Sequence, residues 1–370
     1  MDQDLSGLLI SPARANQLRD RAEAFWREFA SPGSRPKLVF GCNVYGRSIL
    51  DLCSVDAFVD DFSTEPTFCG RPIVRTSEIA KDALVLAASG GRPLTVRDKL
   101  DKLGVEHLDY FSLCKWSGAH LREVVFNEGF GDEFLTNEAR YLWVYELLAD
   151  DISRDSFRKL VSFRLNCDID VMTGFVDRQQ EQYFEEFLDL HSDGEVFADI
   201  GAFHGETSVE FIKRCPQYGA IHLFEPDPIN FAKCKHALRK SRDIHLWPIG
   251  ASDSSGRASF AISGSTSGLS LSGTTTIQLA RLDDVLSTPP SFLKMDIEGE
   301  ERCAIAGAAG IIGKHRPKAA IAVYHRAGDF WRIPKQLLSI YPRFDVYLRH
   351  YTESIYETVM FFVPRGSRDA

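Results

Sequence analysis

The sequence predicts an α/β protein made of two Rossmann-like units joined by a helical segment. Short apolar runs alternate with helical stretches in both the N-terminal and the C-terminal part of the chain. In each part, one strand leads through a glycine turn into a helix. A length of 370 residues exceeds one ordinary hydrophobic core. The predicted division is 1–117, a small Rossmann-like domain with N-terminal helices; 118–192, a helical connector; and 193–370, a second α/β domain.

Residues 1–31 read as one or two polar-faced helices, broken by Ser31-Pro-Gly-Ser34. Lys37 to Phe40 then reads as a strand, with Gly41 and Gly46 in the turn and a helix running to Cys53. Further strands are expected at Val55–Asp60, Pro72–Val74, Ala83–Ala88 and Leu108–Phe111. The spacing Gly41-x-x-x-x-Gly46 is not a full dinucleotide fingerprint, so a packing or regulatory role is read for this domain ahead of a nucleotide site. In the connector, apolar residues recur at helical spacing over Asp132–Ala149 and Asp151–Leu165. Tyr183 and Phe184, just before the next strand, read as core residues first and cofactor contacts second.

The most informative segment is Asp199-Ile-Gly-Ala-Phe-His-Gly-Glu-Thr207. It follows an apolar strand and opens a helix over Thr207–Arg214, so glycines and free N–H groups face one point. Glu225 ends the next apolar run, 26 positions on, where a carboxylate accepts bonds from ribose hydroxyls. Loop and acid together imply a nucleoside cofactor. An aspartate in place of the first glycine repels phosphates and suits a cationic amino-acid tail, as in S-adenosylmethionine. The candidate cofactor residues are Asp199, Gly201, Ala202, Gly205, Thr207, Glu225, Pro226, Ser252 and Asp253.

Strands are expected at 196–200, 220–224, 244–249, 292–296 and 319–324, at α/β spacing. Ser252–Ser272, rich in Ser and Gly, followed by the alternating Thr274–Leu282, reads as a hairpin or flap over the cofactor end of the sheet, or equally as a solvent loop. Ser291 to Glu300 delivers Lys294, Asp296 and Glu298 to one face of a strand end, an arrangement costly to bury without function. His325 closes a further buried strand, where a group with an ordinary pKa near 6.5 suits proton removal. Lys294, Asp296, Glu298 and His325 are therefore the candidate catalytic residues. Arg349 and His350 are candidates to face an anionic or sugar substrate, and Thr358–Val363 reads as a last strand.

Composition narrows the classes. No run approaches the ~20 apolar residues of a membrane span, and the N-terminus lacks signal-peptide features, so a cytoplasmic protein with no membrane partner is expected. Eight scattered cysteines without a C-x-x-C pair fit a reducing compartment and no zinc site. A net charge of −9 makes nucleic acid an unsuitable partner. The acidic excess sits in residues 118–192, with 7 basic and 16 acidic groups, and reads as a solvated helical face.

The pieces D-I-G-A-x-x-G at 199–205, F-E-P at 224–226, Ala-Ser-Asp at 251–253, L-D-D at 282–284, K-M-D-I-E-G-E at 294–300 and Y-H at 324–325 resemble the FkbM family of S-adenosylmethionine-dependent methyltransferases. The resemblance spans about residues 180–364 and implies a seven-strand class I methyltransferase sheet with a reversed final hairpin over 193–370. It also implies methyl transfer to a hydroxyl of a sugar, glycan precursor or natural-product intermediate, a small-molecule or carbohydrate substrate. Phe203 and His204 stand where the family has Asn after the alanine. The N-terminal part resembles the degenerate Rossmann-type domain that precedes some sugar-modifying enzymes. Asp296 with Glu298 offers two ligands to a divalent cation, but no third is fixed by sequence, and a metal-free site is preferred. Two rivals remain in view: a non-catalytic nucleotide or nucleotide-sugar binding protein with a methyltransferase-like domain, and an NAD(P)-dependent oxidoreductase, which the absence of G-x-G-x-x-G disfavours.

Overall fold

The computed structural model describes residues 8–261, 268–269 and 275–365. Contacts divide the chain into two units, one of residues up to 136 with 155–179 and 351–356, the other of 137–154, 180–350 and 357 onward. Two long helices, Phe130–Leu147 and Asp151–Asn166, contribute residues to both units. The first is broken at Asn137, whose backbone leaves helical geometry. Phe134, Tyr141 and Leu148 are buried as their spacing predicts, whereas Leu135 and Ile152 face solvent.

The first unit opens with one helix, Pro12–Ala30, started by Ser11, which accepts the Arg14 N–H, with proline in the first turn. Leu18, Ala22, Phe25 and Phe29 form its buried stripe. Six strands follow: β1 Lys37–Phe40, β2 Ala57–Val59, β3 Thr67–Phe68, β4 Arg71–Val74, β5 Leu84–Ala87 and β6 Glu106–Asp109. The sheet order is β3-β4-β2-β1-β5-β6, parallel except for the β3/β4 hairpin. The strand expected over 108–111 stops at Asp109 because that side chain accepts the Ser112 N–H at 2.8 Å and starts the helix Tyr110–Trp116. In the first glycine turn, Asn43 Oδ1 accepts the N–H groups of Tyr45 and Gly46 at 3.0 Å each, and its amide donates to the Ala88 carbonyl. Gly46 is obligatory, since a Cβ there would lie 2.5 Å from the Gly41 carbonyl oxygen.

The second unit carries β7 Val196–Ile200, β8 Ala220–Phe224, β9 Ile244–Trp247, β10 Ile249–Ala251, β11 Gly256–Ala261, β12 Gly268–Leu269, β13 Thr275–Ala280, β14 Phe292–Met295, β15 Lys318–Ala322, β16 Phe344–His350 and β17 Thr358–Pro364. Seven of them form a sheet ordered β16-β17-β15-β14-β7-β8-β9. All neighbours are parallel except β17, which runs against both β15 and β16, so the final hairpin is reversed as expected. The strand expected over 244–249 divides at Pro248, which has no N–H for the ladder. Its second half, β10, joins a separate four-stranded sheet ordered β10-β13-β11-β12. The 252–282 block is thus a β11/β13 hairpin; Gly264 and Gly273 lie outside the described residues.

Candidate active site

The strand register brings the carboxyl ends of β7, β8, β14 and β15 level: Ile200 lies opposite Phe224 and Met295, and Met295 opposite Ile321. Open parallel sheets bind ligands at that edge. Asp199 is fully buried there. Its Oδ2 accepts the Ser208 hydroxyl at 2.7 Å, while Oδ1 faces Lys294 Nζ at 3.3 Å without a hydrogen bond. Lys294 donates instead to the Gly201 carbonyl at 2.5 Å, and it lies over the Tyr183 ring. Lys294 is therefore committed to the Asp199 loop.

Gly201, Phe203 and Gly205 all have left-handed backbones and bend the chain sharply into the helix Glu206–Arg214. A Cβ on Gly201 would sit 2.0 Å from the Asp296 carbonyl oxygen, so the loops after β7 and β14 are pressed together at a point only glycine permits. Ala202 is buried beneath the turn. Gly205 caps the helix, so the first-turn N–H groups near Thr207 have no side-chain cap. His204 stacks on Phe203 with ring centroids 3.6 Å apart and meets Lys233 at 2.9 Å.

Glu225 is anchored from both sides, accepting the Phe203 N–H at 2.8 Å and the Asp227 N–H at 2.9 Å. Burial pushes its carboxyl up to about 7 against those two bonds. Pro226 carries the chain to Asp227, which starts the helix Pro228–Ala237. Ser252, at the end of β10, is buried and donates its N–H to the Ala280 carbonyl, whereas Asp253 is exposed and accepts the Ser254 hydroxyl. The Asp199 oxygen left without a hydrogen bond, the helix start without a side-chain cap and the fixed Glu225 carboxyl suit a ligand with an ammonium group and a ribose.

Beside this lies a dense ring of ionisable groups. Asp296 accepts the Tyr183 hydroxyl at 2.5 Å and lies 3.4 Å from His325 Nε2; Glu298 Oε2 lies 3.8 Å from the same nitrogen. On the other side of the ring, His325 Nδ1 sits 3.0 Å from Glu301 Oε1. Glu301 is fully buried and also accepts the Ile297 N–H at 2.9 Å. Burial alone lowers the His325 pKa, but Glu301, Asp296 and Glu298 outweigh it and raise the imidazole to about 10. Burial pushes Glu298 to about 7, with His325 opposing. Asp329 and Glu357, also mainly through burial, rise to about 7. The imidazolium is the counter-charge of this acidic cluster.

One atom each of Asp296, Glu301 and His325 lies within 4.8 Å of the others, the range of a metal site. Glu301 and Asp296 face opposite nitrogens of the His325 ring. Arg349 and His350, read from sequence as candidates to face a substrate, are both buried. Arg349 grips Asp150 at 2.7 Å and Ser153 at 2.8 Å, and His350 meets Thr358 at 3.0 Å; Arg349, Ser153, His350 and Thr358 are buried, and Asp150 is half-buried. Glu301 and Glu357 are residues of this cluster that sequence reasoning missed. The signal for Glu301 was a fourth acid in the run Asp296-Ile-Glu-Gly-Glu-Glu301.

Residues 199–355 match the family model of the methyltransferase FkbM domain. That match supports a methyltransferase and covers both the Asp199 loop and the residues around His325. The fold is similar to that of a methyltransferase FkbM from Methylobacillus flagellatus KT, with a TM-score of 0.74 and 24% identity over 97% of this chain and 100% of that one. Fibrillarin from Aeropyrum pernix, with natively bound S-adenosyl-L-methionine, is similar at a TM-score of 0.30 and 14% identity over 47% of this chain and 69% of that one. No curated protein matches the sequence. Among the described residues no helix is long and apolar enough to cross a membrane, and all eight cysteines are free.

Proposed function

We propose that this chain is an S-adenosylmethionine-dependent O-methyltransferase acting on a hydroxyl of a sugar, glycan precursor or natural-product intermediate. The observation that carries the reading is the juxtaposition of the Asp199 loop with the Asp296–His325–Glu301 ring at one sheet edge. S-adenosylmethionine supplies a methyl group on a cationic sulfur, which is already a good leaving group. Asp199 and the Gly201–Thr207 turn hold the amino-acid part, Glu225 and Pro226 the ribose side, and Ser252 with Asp253 the adenine edge. The chain's remaining task is to align an acceptor hydroxyl and remove its proton.

With His325 held as imidazolium, a carboxylate takes that proton. Glu298, with a pKa of about 7, is half ionised at neutral pH and suits the task. Asp296, fixed between Tyr183 and His325, orients the hydroxyl. Lys294 keeps Asp199 in place. Calorimetry with S-adenosylhomocysteine, NAD and a nucleotide-sugar separates the reading from its rivals: only the first should bind to the second unit. Asp296→Ala should lose transfer by roughly 10²–10⁴-fold with the fold intact by circular dichroism; full activity would mean the site is misplaced. Activity should survive EDTA, since the ring carries its own cation; loss with EDTA and recovery with magnesium would reverse the metal-free assignment.

A further inference from the structure

Because β17 runs against β15, its start rather than its end lies at the ligand edge of the sheet. Ala322 pairs with Val359, and the Val323 N–H donates to the Thr358 carbonyl at 3.0 Å. Glu357, the residue before β17, therefore arrives beside Tyr324 just past the end of β15. Its Oε1 accepts the Tyr324 hydroxyl at 3.4 Å, and its Oε2 accepts the Gln182 amide at 2.6 Å. The same Gln182 nitrogen donates to the Tyr183 hydroxyl oxygen at 2.9 Å, and Tyr183 donates to Asp296 Oδ2 at 2.5 Å. Gln182, Tyr183 and Tyr324 are buried. A continuous file of hydrogen bonds thus runs from Glu357 through Gln182 and Tyr183 to Asp296, whose other oxygen lies 3.4 Å from His325 Nε2.

Glu357 fixes the order of donors in this file. When ionised it only accepts, so the Gln182 amide turns its nitrogen, not its oxygen, toward it. That nitrogen also donates to the Tyr183 oxygen, which leaves the phenol proton pointing at Asp296. Burial, reinforced by the charges of Asp296 and Glu357, raises the Tyr183 phenol well above its ordinary range, so it keeps that proton. Two members of the file are also held at a backbone cost. Tyr183 (φ 74°) and Glu357 (φ 62°) are left-handed, a conformation that non-glycine residues keep only where their surroundings impose it.

We propose that Glu357 is a positioning residue for methyl transfer: acting through Gln182 and Tyr183, it sets the orientation of the Asp296 carboxylate toward the acceptor hydroxyl. The inference rests on the methyltransferase reading and deepens it. Tyr183 occupies one oxygen of Asp296, so the oxygen beside His325 is the one that orients the hydroxyl. Hydrogen bonds in series polarise one another, so a change at Glu357 is felt at Asp296.

The test is proton NMR of the full-length protein at about pH 8, above the value of about 7 to which burial lifts Glu357. A phenol donating to a carboxylate this closely carries its proton downfield of the amides, and loss of the resonance in Tyr183→Phe assigns it. In Gln182→Met and in Glu357→Gln the resonance should move upfield and exchange with water about tenfold faster, the scale of one hydrogen bond to a charged group. Glu357→Gln should add nothing further in the Gln182→Met background, since its effect passes through that amide. A role confined to holding the hairpin would lower the unfolding temperature and leave the resonance in place. An unmoved resonance in Glu357→Gln, additive shifts in the double variant, or no resonance assignable to Tyr183 in wild type overturns the positioning role. Should Glu357→Gln not fold, Glu357→Asp, which withdraws the acid by one methylene, is read by the same signal. S-adenosylhomocysteine is titrated into wild type by calorimetry alongside. Its failure to bind overturns the methyltransferase reading and the positioning role with it; binding with an unmoved resonance overturns the positioning role alone.

Discussion

The two units each contain a strand, a glycine turn and a helix on a parallel sheet, yet the two turns are chemically opposite. After β1, Asn43 turns its own side chain onto the helix start and takes the Tyr45 and Gly46 N–H groups, so the chain satisfies itself. After β7, glycine caps the helix with no side chain, and the strand instead delivers a buried carboxylate with one oxygen that makes no hydrogen bond and faces Lys294. Glycine spacing alone therefore does not make a ligand site. What decides is whether the donors and acceptors around the turn are already spent.

Three changes break or sharpen this contrast. The largest effect should come from Gly201→Ala, because the new Cβ would overlap the Asp296 carbonyl in a left-handed backbone. Overpacking of this kind costs about 1–3 kcal/mol or more, and S-adenosylhomocysteine binding by calorimetry should be lost with it. Retained binding would show that the β7 turn is not the cofactor loop.

A graded effect should appear in the pH profile of transfer. Activity should rise through pH about 7 as Glu298 loses its proton and fall toward pH about 10 as His325 loses its charge. Because the folded His325 pKa lies above its ordinary value, its contribution to stability is complete below pH ~6.5 and fades as pH climbs through the folded value. Glu301→Gln removes the largest raising influence on His325 and should draw the alkaline limb downward. An unmoved limb would remove Glu301 from its positioning role. The smallest effect belongs to Asn43→Ala, which loses a helix cap worth about 1 kcal/mol. Thermal unfolding should shift by a few degrees with S-adenosylhomocysteine affinity unchanged; weakened cofactor binding would instead tie the first turn to the site.

Much of this was legible in sequence because the signals are local. An acid ending an apolar run, with glycine two residues on, placed Asp199 and Gly201, and the next apolar run placed Glu225. The ring around His325 was only half legible. Asp296 and Glu298 announced themselves as alternating charges at a strand end, but Glu301 matters only because β15 sets His325 beside it, a relation between residues 24 apart in the chain. Pro248 carried a readable break that an unbroken apolar pattern concealed. Arg349 looked like a substrate-facing cation since its partner Asp150 lies almost 200 residues earlier, and the strand pattern does not disclose such pairings.

The three carboxyls poised near neutrality beside His325 also give the site a proton inventory. At pH 7 Glu298, Asp329 and Glu357 together hold a fractional load of hydrogen ions, each retained because low polarity disfavours its anion. Any positively charged visitor relieves that penalty and expels part of the load. A cation placed beside them would release protons, so its affinity would tighten as the medium becomes more alkaline.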